Sequence, residues 1–525
     1  MARSSTDSYT LLTGATGLLG RALVRDLAAS GRRLAVVVRR SASTPAVERV
    51  DELLDDWWQV AGAEVPCPVV LEGDLVADGV GLTAEQLAWI GRHVDEVVHT
   101  AASLSFQRRA ADGEPYTSNV GGTRNLLALC RTAGIRRLHH VSTAYVCGLR
   151  RGTILERELD VGQEPGNDYE RSKIVAEHEA TNAAWIESCT VFRPSIIVGD
   201  LVHGFTNTFH GIYKPLRIVA PFAEAFLAAS LEPGSFLDLL GLDGSERKNL
   251  VPVDWVSAVM TRIIGDESLH GLAYHLTSDL PTEVATLCRL FESLVGEMAA
   301  RRPRLADGAA AQRAEAVLRL GPETLGRLFL DQMDIYRAYW RDDPAFDATN
   351  TRRAAPDLPA PPLDEPALRR LSRFAIANDF RWPPSSRPAG GVSARTLLED
   401  HLGEARWSAP QSAGVGLAAI GAGGGQWTIC LDAGRPTSLH VGLPPRAAPT
   451  AWVSAGTLAL LLTGRATVAA LVAEGRLVAE PAAAVVHDVL ETLAESSPAE
   501  ACEGPRRDTR QFDRSTVREI PADEA

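Results

Sequence analysis

The stretch YTLLTGATGLLGRALVRDLAA, Tyr9 to Ala29, decides the fold. Its apolar run Tyr9 to Leu12 reads as a buried strand, and Arg21 to Ala29 has the apolar spacing of a helix. Between them Gly14, Gly17 and Gly20 fall at every third position. Glycines there let the chain turn tightly, let its backbone approach a pyrophosphate and let helix pack on strand, while the helix N-terminus offers N–H donors and partial positive charge. Thr13, Gly14, Thr16, Gly17, Leu18, Leu19 and Gly20 are therefore candidate contacts to a dinucleotide. An NAD site carries an acidic residue about 20 residues further on, at the end of the second strand. Here that place holds Arg39 and Arg40. A guanidinium there pairs with a 2′-phosphate, so NADPH is expected rather than NADH. The alternative reading of both arginines is solvated charge at a strand end.

Outward from this turn, short apolar runs (RLAVVVRR, EVVHTAA, RRLHHVSTAYV, CTVFRPSIIVG) alternate with helix-like segments as far as residue 295. That alternation predicts parallel strands with crossover helices, a Rossmann-type, doubly wound α/β domain over residues 1–295. Residues 296–382 change to arginine-rich helical stretches broken by Pro356, Pro359, Pro361 and Pro362, and predict a small helical extension. PPSSRPAGG, Pro383 to Gly391, places a linker at 383–392. In residues 393–496, QWTICLD and SLHVGLP alternate with period two around Ala433-Gly434-Arg435-Pro436 and predict a hairpin, with helices after it: a separate α+β domain. Residues 497–525 are charged and predict a frayed tail.

The whole chain, 525 residues, has room for about three or four domains. Its 45% hydrophobic content is that of a folded protein, and its net charge of −13 repels a nucleic-acid backbone, so no nucleic-acid partner is expected. Seven scattered cysteines without a Cys-x-x-Cys pair fit a reducing cytoplasm. No export signal and no transmembrane run of about 18 apolar residues is evident, which leaves peripheral membrane contact open.

A second signal is Tyr169-Glu170-Arg171-Ser172-Lys173 at the start of an expected helix. At i and i+4, phenol and ammonium share one face, so the lysine can lower the phenol's pKa and hold a nicotinamide ribose. Upstream, the strand Leu138 to Val141 ends in Ser142-Thr143, whose hydroxyl can reach the same substrate oxygen, and Asn119 lies in the preceding helical region. His99, His139 and His140 sit on or beside expected core strands with no carboxylate at ligand spacing, so no metal site is expected.

These residues carry a resemblance. Over about the first 295 residues the chain resembles extended short-chain dehydrogenases/reductases, whose variant glycine spacing it shares. TGATGLLG, EGDL (Glu72 to Leu75), HTAASLSF (His99 to Phe106), NVGGTRNLL, VSTAYVCG, YERSK, FRPSIIVG and LVPVDWV resemble the branch of fatty acyl-CoA reductases and thioester reductase domains. The resemblance implies a catalytic Thr143, Tyr169 and Lys173, with Asn119 supporting a proton relay. It further implies Asp74 and Leu75 at the adenine, Ala101 and Ala102 along the cofactor, and Pro194, Ser195, Ile196 and Ile197 near the nicotinamide. The implied activity is NADPH-dependent reduction of a fatty or polyketide acyl thioester, from acyl-CoA or acyl-carrier protein, to the aldehyde and, with a second hydride, the alcohol. Two rivals stay open: a dehydrogenase or epimerase of a nucleotide sugar or ring ketone, and a non-catalytic lipid-binding protein.

Residues 334–380, with Phe346, Asp347 and Asn350, resemble the C-terminal segment of fatty acyl-CoA reductases. Residues 393–496 resemble a sterol carrier protein type 2 module, which implies an apolar tunnel that keeps acyl substrate or product near the reductase. Arg217 to Leu231 reads as a buried helix, with a lid or a shallow membrane contact as alternatives.

Overall fold

The computed structural model describes residues 7–62, 64–220, 223, 235–301, 322–381, 393–410 and 413–495. The expected linker, the tail, residues 302–321 of the arginine-rich stretch and residues 224–231 of the apolar stretch lie outside them. The N-terminal sheet is built from β1 (Tyr9–Thr13), β2 (Arg33–Val38), β3 (Val69–Glu72), β4 (Val94–His99), β5 (Arg137–Val141) and β7 (Ser188–Pro194), with the strand Ala273–Leu276 at one edge. Spatial order is Ala273–Leu276, β7, β5, β4, β1, β2, β3, and each neighbouring pair is parallel. Parallel strands need crossovers, and helices on both faces bury them, which is why β1 and β2 are buried along their whole length. Helices α1 (Leu18–Ala29) and α2 (Ala46–Ala61) pack with the helix Val253–Gly265 on one face. On the other lie α3 (Ala84–His93) and α4 (Gly122–Ala133). The chain leaves β1 toward β3 in one direction and returns through β4 in the other, so a crevice opens at the carboxyl ends of β1 and β4.

Helix α5 (Asp168–Thr181) follows the two-residue strand β6 (Thr153–Ile154), and β8 (Ile196–Val198) leaves the sheet to pair with Leu250–Pro252. The described part of the extension folds back onto this region. Its strand Ala345–Phe346 pairs with β6, and Phe329, Met333, Leu368 and Leu371 share a core with Val198, Ile212 and Leu250. The helix Val284–Arg301 runs unbroken through residue 295, where a boundary was expected: Leu287, Leu290, Phe291, Leu294 and Met298 keep one apolar face across the change in composition.

Residues from 393 form a five-stranded sheet in the order Arg435–Val441, Gly425–Asp432, Gly414–Ile420, Thr450–Ser454, Leu477–Glu480. The helices Ala394–Leu402, Ala455–Leu462 and Ala483–Glu495 share one apolar core with that sheet. The expected hairpin is present with a tighter turn: Asp432 pairs Arg435 across Ala433 and Gly434, both at positive φ. Pro436 lies within the edge strand, where a missing donor is tolerated.

This unit docks on the amino ends of the parallel strands. The Tyr9 hydroxyl donates to Gln426 Oε1 (2.9 Å) and accepts from Leu443 N (2.9 Å). Trp89 Nε1 donates to Val441 O (3.0 Å), Arg33 to Pro444 O (2.9 Å), and Asp51 receives Gly423 N and Arg395. Gly442, at φ +94°, lets the backbone pass: a Cβ there would stand 3.2 Å from the Trp89 ring. Strands of five residues at about 3.3 Å each put this interface roughly 17 Å from the crevice at the other end. The placement does not support a module that holds the acyl chain beside the reductase.

Candidate active site

The turn after β1 is a cradle without room for side chains. Gly14 has φ +77°, and a Cβ on it would stand 2.5 Å from Thr100 Oγ1 and 2.6 Å from Ala101 N; one on Gly20 would stand 2.0 Å from Gly14 O. Gly14, Gly17, Leu18, Leu19 and Gly20 border one cavity of about 640 Å³. The same cavity is lined by Ala102, Thr143, Tyr169, Lys173, Pro194, Ser195, Ile196 and Ile197. Ser142 and Ser195, also on its wall, have buried hydroxyls with no hydrogen-bond partner. A buried polar atom left unpaired is costly, so a bound group is their natural partner. Glycine cradle and orphaned hydroxyls together fit a dinucleotide laid from the α1 N-terminus to β7.

Thr13 turns its hydroxyl away from the cavity, to His99 Nδ1 at 2.7 Å. Thr16 Oγ1 accepts from Arg49 on α2 at 3.2 Å, and the same guanidinium donates to Arg39 O at 2.7 Å. Arg49 thus ties the glycine turn to the end of β2. It escaped sequence reading because its only signal was one more arginine on a helix. Arg39 is exposed there, while Arg40 Nε donates to Glu72 Oε1 at 2.9 Å. The carboxylate missing from the end of β2 is supplied by the neighbouring strand β3, and the pairing holds Arg40 to Glu72. Asp74 caps its own loop through Val76 N (3.1 Å), and Leu75 O accepts from Asn125 (2.8 Å) on α4. Both lie beside the crevice rather than on the cavity wall.

Asn167 caps α5 by accepting from Glu170 N (2.9 Å), which fixes the first turn, where Tyr169 and Lys173 share a face. The Thr143 hydroxyl, which accepts from Tyr145 N at 3.3 Å, lines the same cavity as the Tyr169 phenol. Burial raises the phenol's pKa and the neighbouring Glu170 raises it further; Thr143 opposes. The Lys173 Nζ donates to Val141 O at 2.6 Å. Burial brings the ammonium itself down to about 8, against the pull of Glu177.

Asn119 sits in a π-helical turn, Thr117–Gly121, ahead of α4. Its Oδ1 accepts from Ser103 N (2.7 Å), and its Nδ2 donates to Ser103 O (3.1 Å) and Ser172 Oγ (2.8 Å). These bonds make Asn119 a brace between α5 and the loop after β4. The histidines are core groups: His99 lies between the Thr13 and Thr123 hydroxyls with its ring 5.4 Å from that of His140, and burial lowers its pKa to about 3. Among the described residues no group of three or more His, Cys, Asp or Glu is arranged to hold a metal.

Beyond Tyr169 the cavity continues into an apolar lobe walled by Phe236, Leu250, Leu287, Phe291, Phe329 and Met333. Its roof is aromatic. Phe106, from the loop after β4, meets Tyr169, Tyr336 and Tyr339 edge-on at 5.8, 5.1 and 5.4 Å. The extension therefore closes the site, and Tyr336, Tyr339 and Trp340 were invisible as site residues because they come from some 170 residues further along the chain than Tyr169.

Among the described residues no helix is long and apolar enough to cross a membrane. Residues 12–260 match the family model described as Male sterility protein, an NAD-binding domain. The chain is 31% identical over 304 residues to sterol demethylase protein B of Methylococcus capsulatus, covering 57% of this chain and 76% of that one. It is 23% identical over 281 residues to fatty acyl-CoA reductase wat of Drosophila melanogaster, covering 47% and 52% of the two chains. Of other curated relatives it spans only 5% to 36%. The terminal R domain from the myxalamid biosynthetic pathway shares the fold, with a TM-score of 0.52 at 21% identity over 72% of this chain and 92% of that one. With a relative so much alike along three quarters of its length, and a family match that begins within β1, the chain belongs to the Male sterility protein family of NAD(P)-binding extended short-chain dehydrogenases/reductases, and is an oxidoreductase of that family.

Proposed function

We propose that the protein is an NADPH-dependent reductase of acyl thioesters. The observation that carries this reading is a single cavity in which Thr143, Tyr169 and Lys173 stand between the glycine cradle and a deep apolar lobe. The cradle, Lys173 and the Ser142 and Ser195 hydroxyls would hold the dinucleotide, with Arg39 and Arg49 as the cations nearest its ribose phosphate. The reduced nicotinamide, when bound, supplies hydride.

The residues then have defined work. As the carbonyl π pair moves onto oxygen, the Tyr169 phenol gives its proton to that oxygen and Thr143 donates a hydrogen bond to it, beneath a roof of Phe106, Tyr336 and Tyr339. The product of this step is a hemithioacetal. In its collapse the C–S bond breaks with its electron pair on sulfur, the departing thiolate takes one proton from solvent to become the thiol, and the hydroxyl proton returns to the Tyr169 oxygen as the C=O bond re-forms. The high phenol pKa keeps the proton on Tyr169 until charge develops, and the Lys173 ammonium is still largely present at neutral pH.

An apolar lobe suits an alkyl chain better than a sugar nucleotide, and this favours the thioester reading over an epimerase. The sterol carrier protein type 2 resemblance of residues 393–496 supports a lipid-binding-like module. Its place at the amino ends of the strands separates any such role from the reductase cavity.

The test is NADPH oxidation with acyl-CoAs of increasing length, with thiol release and products followed by mass spectrometry. Substrate-dependent thiol release is expected, with kcat/KM rising with chain length as the lobe fills. Oxidation of NADPH without thiol release would overturn the reading. In the same assay Arg39→Asp should lower the preference for NADPH over NADH by about tenfold or more, the worth of one charge-assisted contact.

A further inference from the structure

The cavity reaches solvent where its lining residues are exposed, and away from the glycine turn these include Leu104, 43% exposed, and His210. The His210 imidazole, its Nδ1 3.3 Å from the Tyr336 hydroxyl, stands just before α6 (Tyr213–Val219), whose Pro215 lines the cavity. Lys214 and Arg217 lie three residues apart on this helix, hence on one side of it. Lys214 immediately precedes the cavity-lining Pro215 and follows the cavity-lining His210 by four residues, and Arg217 lies within one turn of Lys214 and Pro215 on the same short helix. Neither has a hydrogen-bond or ion-pair partner among the described residues. Elsewhere the surface arginines Arg109, Arg124, Arg136, Arg247 and Arg262 each hold a carboxylate.

The choice of residue adds a second observation. The chain has only three lysines, Lys173, Lys214 and Lys248. Lys173 and Lys248 line the cavity and Lys214 adjoins Pro215 of its wall. A lysine ammonium is a compact point charge that suits phosphate without demanding a planar partner. A chain of net charge −13 repels an anionic substrate at long range, so entry of one requires a local positive site.

We propose that Lys214 and Arg217, with His210 at the lip, form a subsite for the phosphate of the pantetheine arm that carries the acyl thioester. This rests on the thioester-reductase reading and names the part of the donor the protein grips. Thiol and acyl chain enter past Leu104, and the phosphate stays outside on α6.

The experiment compares kcat/KM for one acyl group on three carriers: CoA, 4′-phosphopantetheine and phosphate-free pantetheine. The wild type should prefer the phosphorylated carriers by about ten- to a hundredfold, the span of one or two charged contacts. That preference should weaken as salt rises. In Lys214→Ala/Arg217→Ala the ratio of CoA to pantetheine thioester should fall toward one, and Lys214→Arg should restore part of it. A preference for CoA over phosphopantetheine assigns the subsite to the nucleotide phosphates; equality of the two assigns it to the phosphate that a carrier protein shares. A wild type indifferent to phosphate, or a double variant that keeps the full preference, overturns the subsite and leaves the reductase standing. No turnover of any thioester overturns both.

Discussion

The two ends of the parallel sheet are made of similar strands and treated in opposite ways. At the carboxyl end the backbone is opened by Gly14 and Gly20, the Ser142 and Ser195 hydroxyls are left without partners, and burial moves the Tyr169 phenol up and the Lys173 ammonium down. At the amino end the C-terminal unit covers the strands. There Tyr9 both donates and accepts across the interface, Trp89 is fully buried with its indole N–H satisfied, and Glu96 collects Thr10, Arg32 and His139. At the carboxyl end the unpaired hydroxyls stand on the cavity wall, where a ligand can complete them. At the amino end another part of the same chain meets the Tyr9 hydroxyl and the Trp89 indole N–H. The difference separates an end kept for chemistry from an end kept for stability.

Breaking the carboxyl end alone should give the largest effect. Tyr169→Phe is expected to lower kcat by about 10²- to 10⁴-fold, the usual worth of a general acid, with the thermal midpoint nearly unmoved. Near-normal turnover in a steady-state assay would remove the phenol from the chemistry. Breaking the amino end should do the reverse. Trp89→Ala should cost about 3–5 kcal/mol in denaturant unfolding, because it empties a packed site and strands Val441 O, while kcat per folded molecule holds. Truncation after residue 392 extends this test. It should expose Tyr9 and Trp89 and lower solubility, yet change KM for long and short acyl chains alike; a selective rise for long chains would put the C-terminal unit back in contact with substrate.

The smallest effect sharpens the comparison through pH. Burial on its own would raise the Glu96 carboxyl, but the His139, Arg32 and Thr10 contacts outweigh it and hold the pKa at about 2, against an ordinary 4.5. A carboxyl depressed in the folded state contributes stability that is present above its unfolded pKa and is lost as pH falls through its folded one. Glu96→Gln should therefore be less stable than wild type at pH 7, by about 3 kcal/mol as one partner of a buried pair is removed. The gap should close between pH 4.5 and about 2. A difference that does not vary over this window would mean that packing, not charge, is what Glu96 supplies.

Much of the site was legible because its signals are local. The glycine spacing, the i and i+4 relation of Tyr169 to Lys173 and the hydroxyl at the end of β5 depend on backbone geometry within a few residues, and the structure gathers Gly14, Thr143, Tyr169, Lys173 and Ser195 on one cavity. Partners that arrive from a distance were not legible: β3 brings Glu72 beside Arg40, and Ser103 and Ser172 hold the Asn119 amide. The Lys173 ammonium, set one turn from the phenol by the sequence, is anchored in space by the Val141 carbonyl.

By itself the sequence determined the strand and helix alternation, the parallel sheet and the residue types at its carboxyl ends, since apolar period and glycine placement restrict each short segment independently. Only the tertiary structure decided which groups face one another: that the extension roofs the cavity with Tyr336 and Tyr339, and that residues 393–495 pack against the opposite end. Contacts between segments hundreds of residues apart follow from how whole surfaces fit, and burial, unlike periodicity, is a property of the assembled chain.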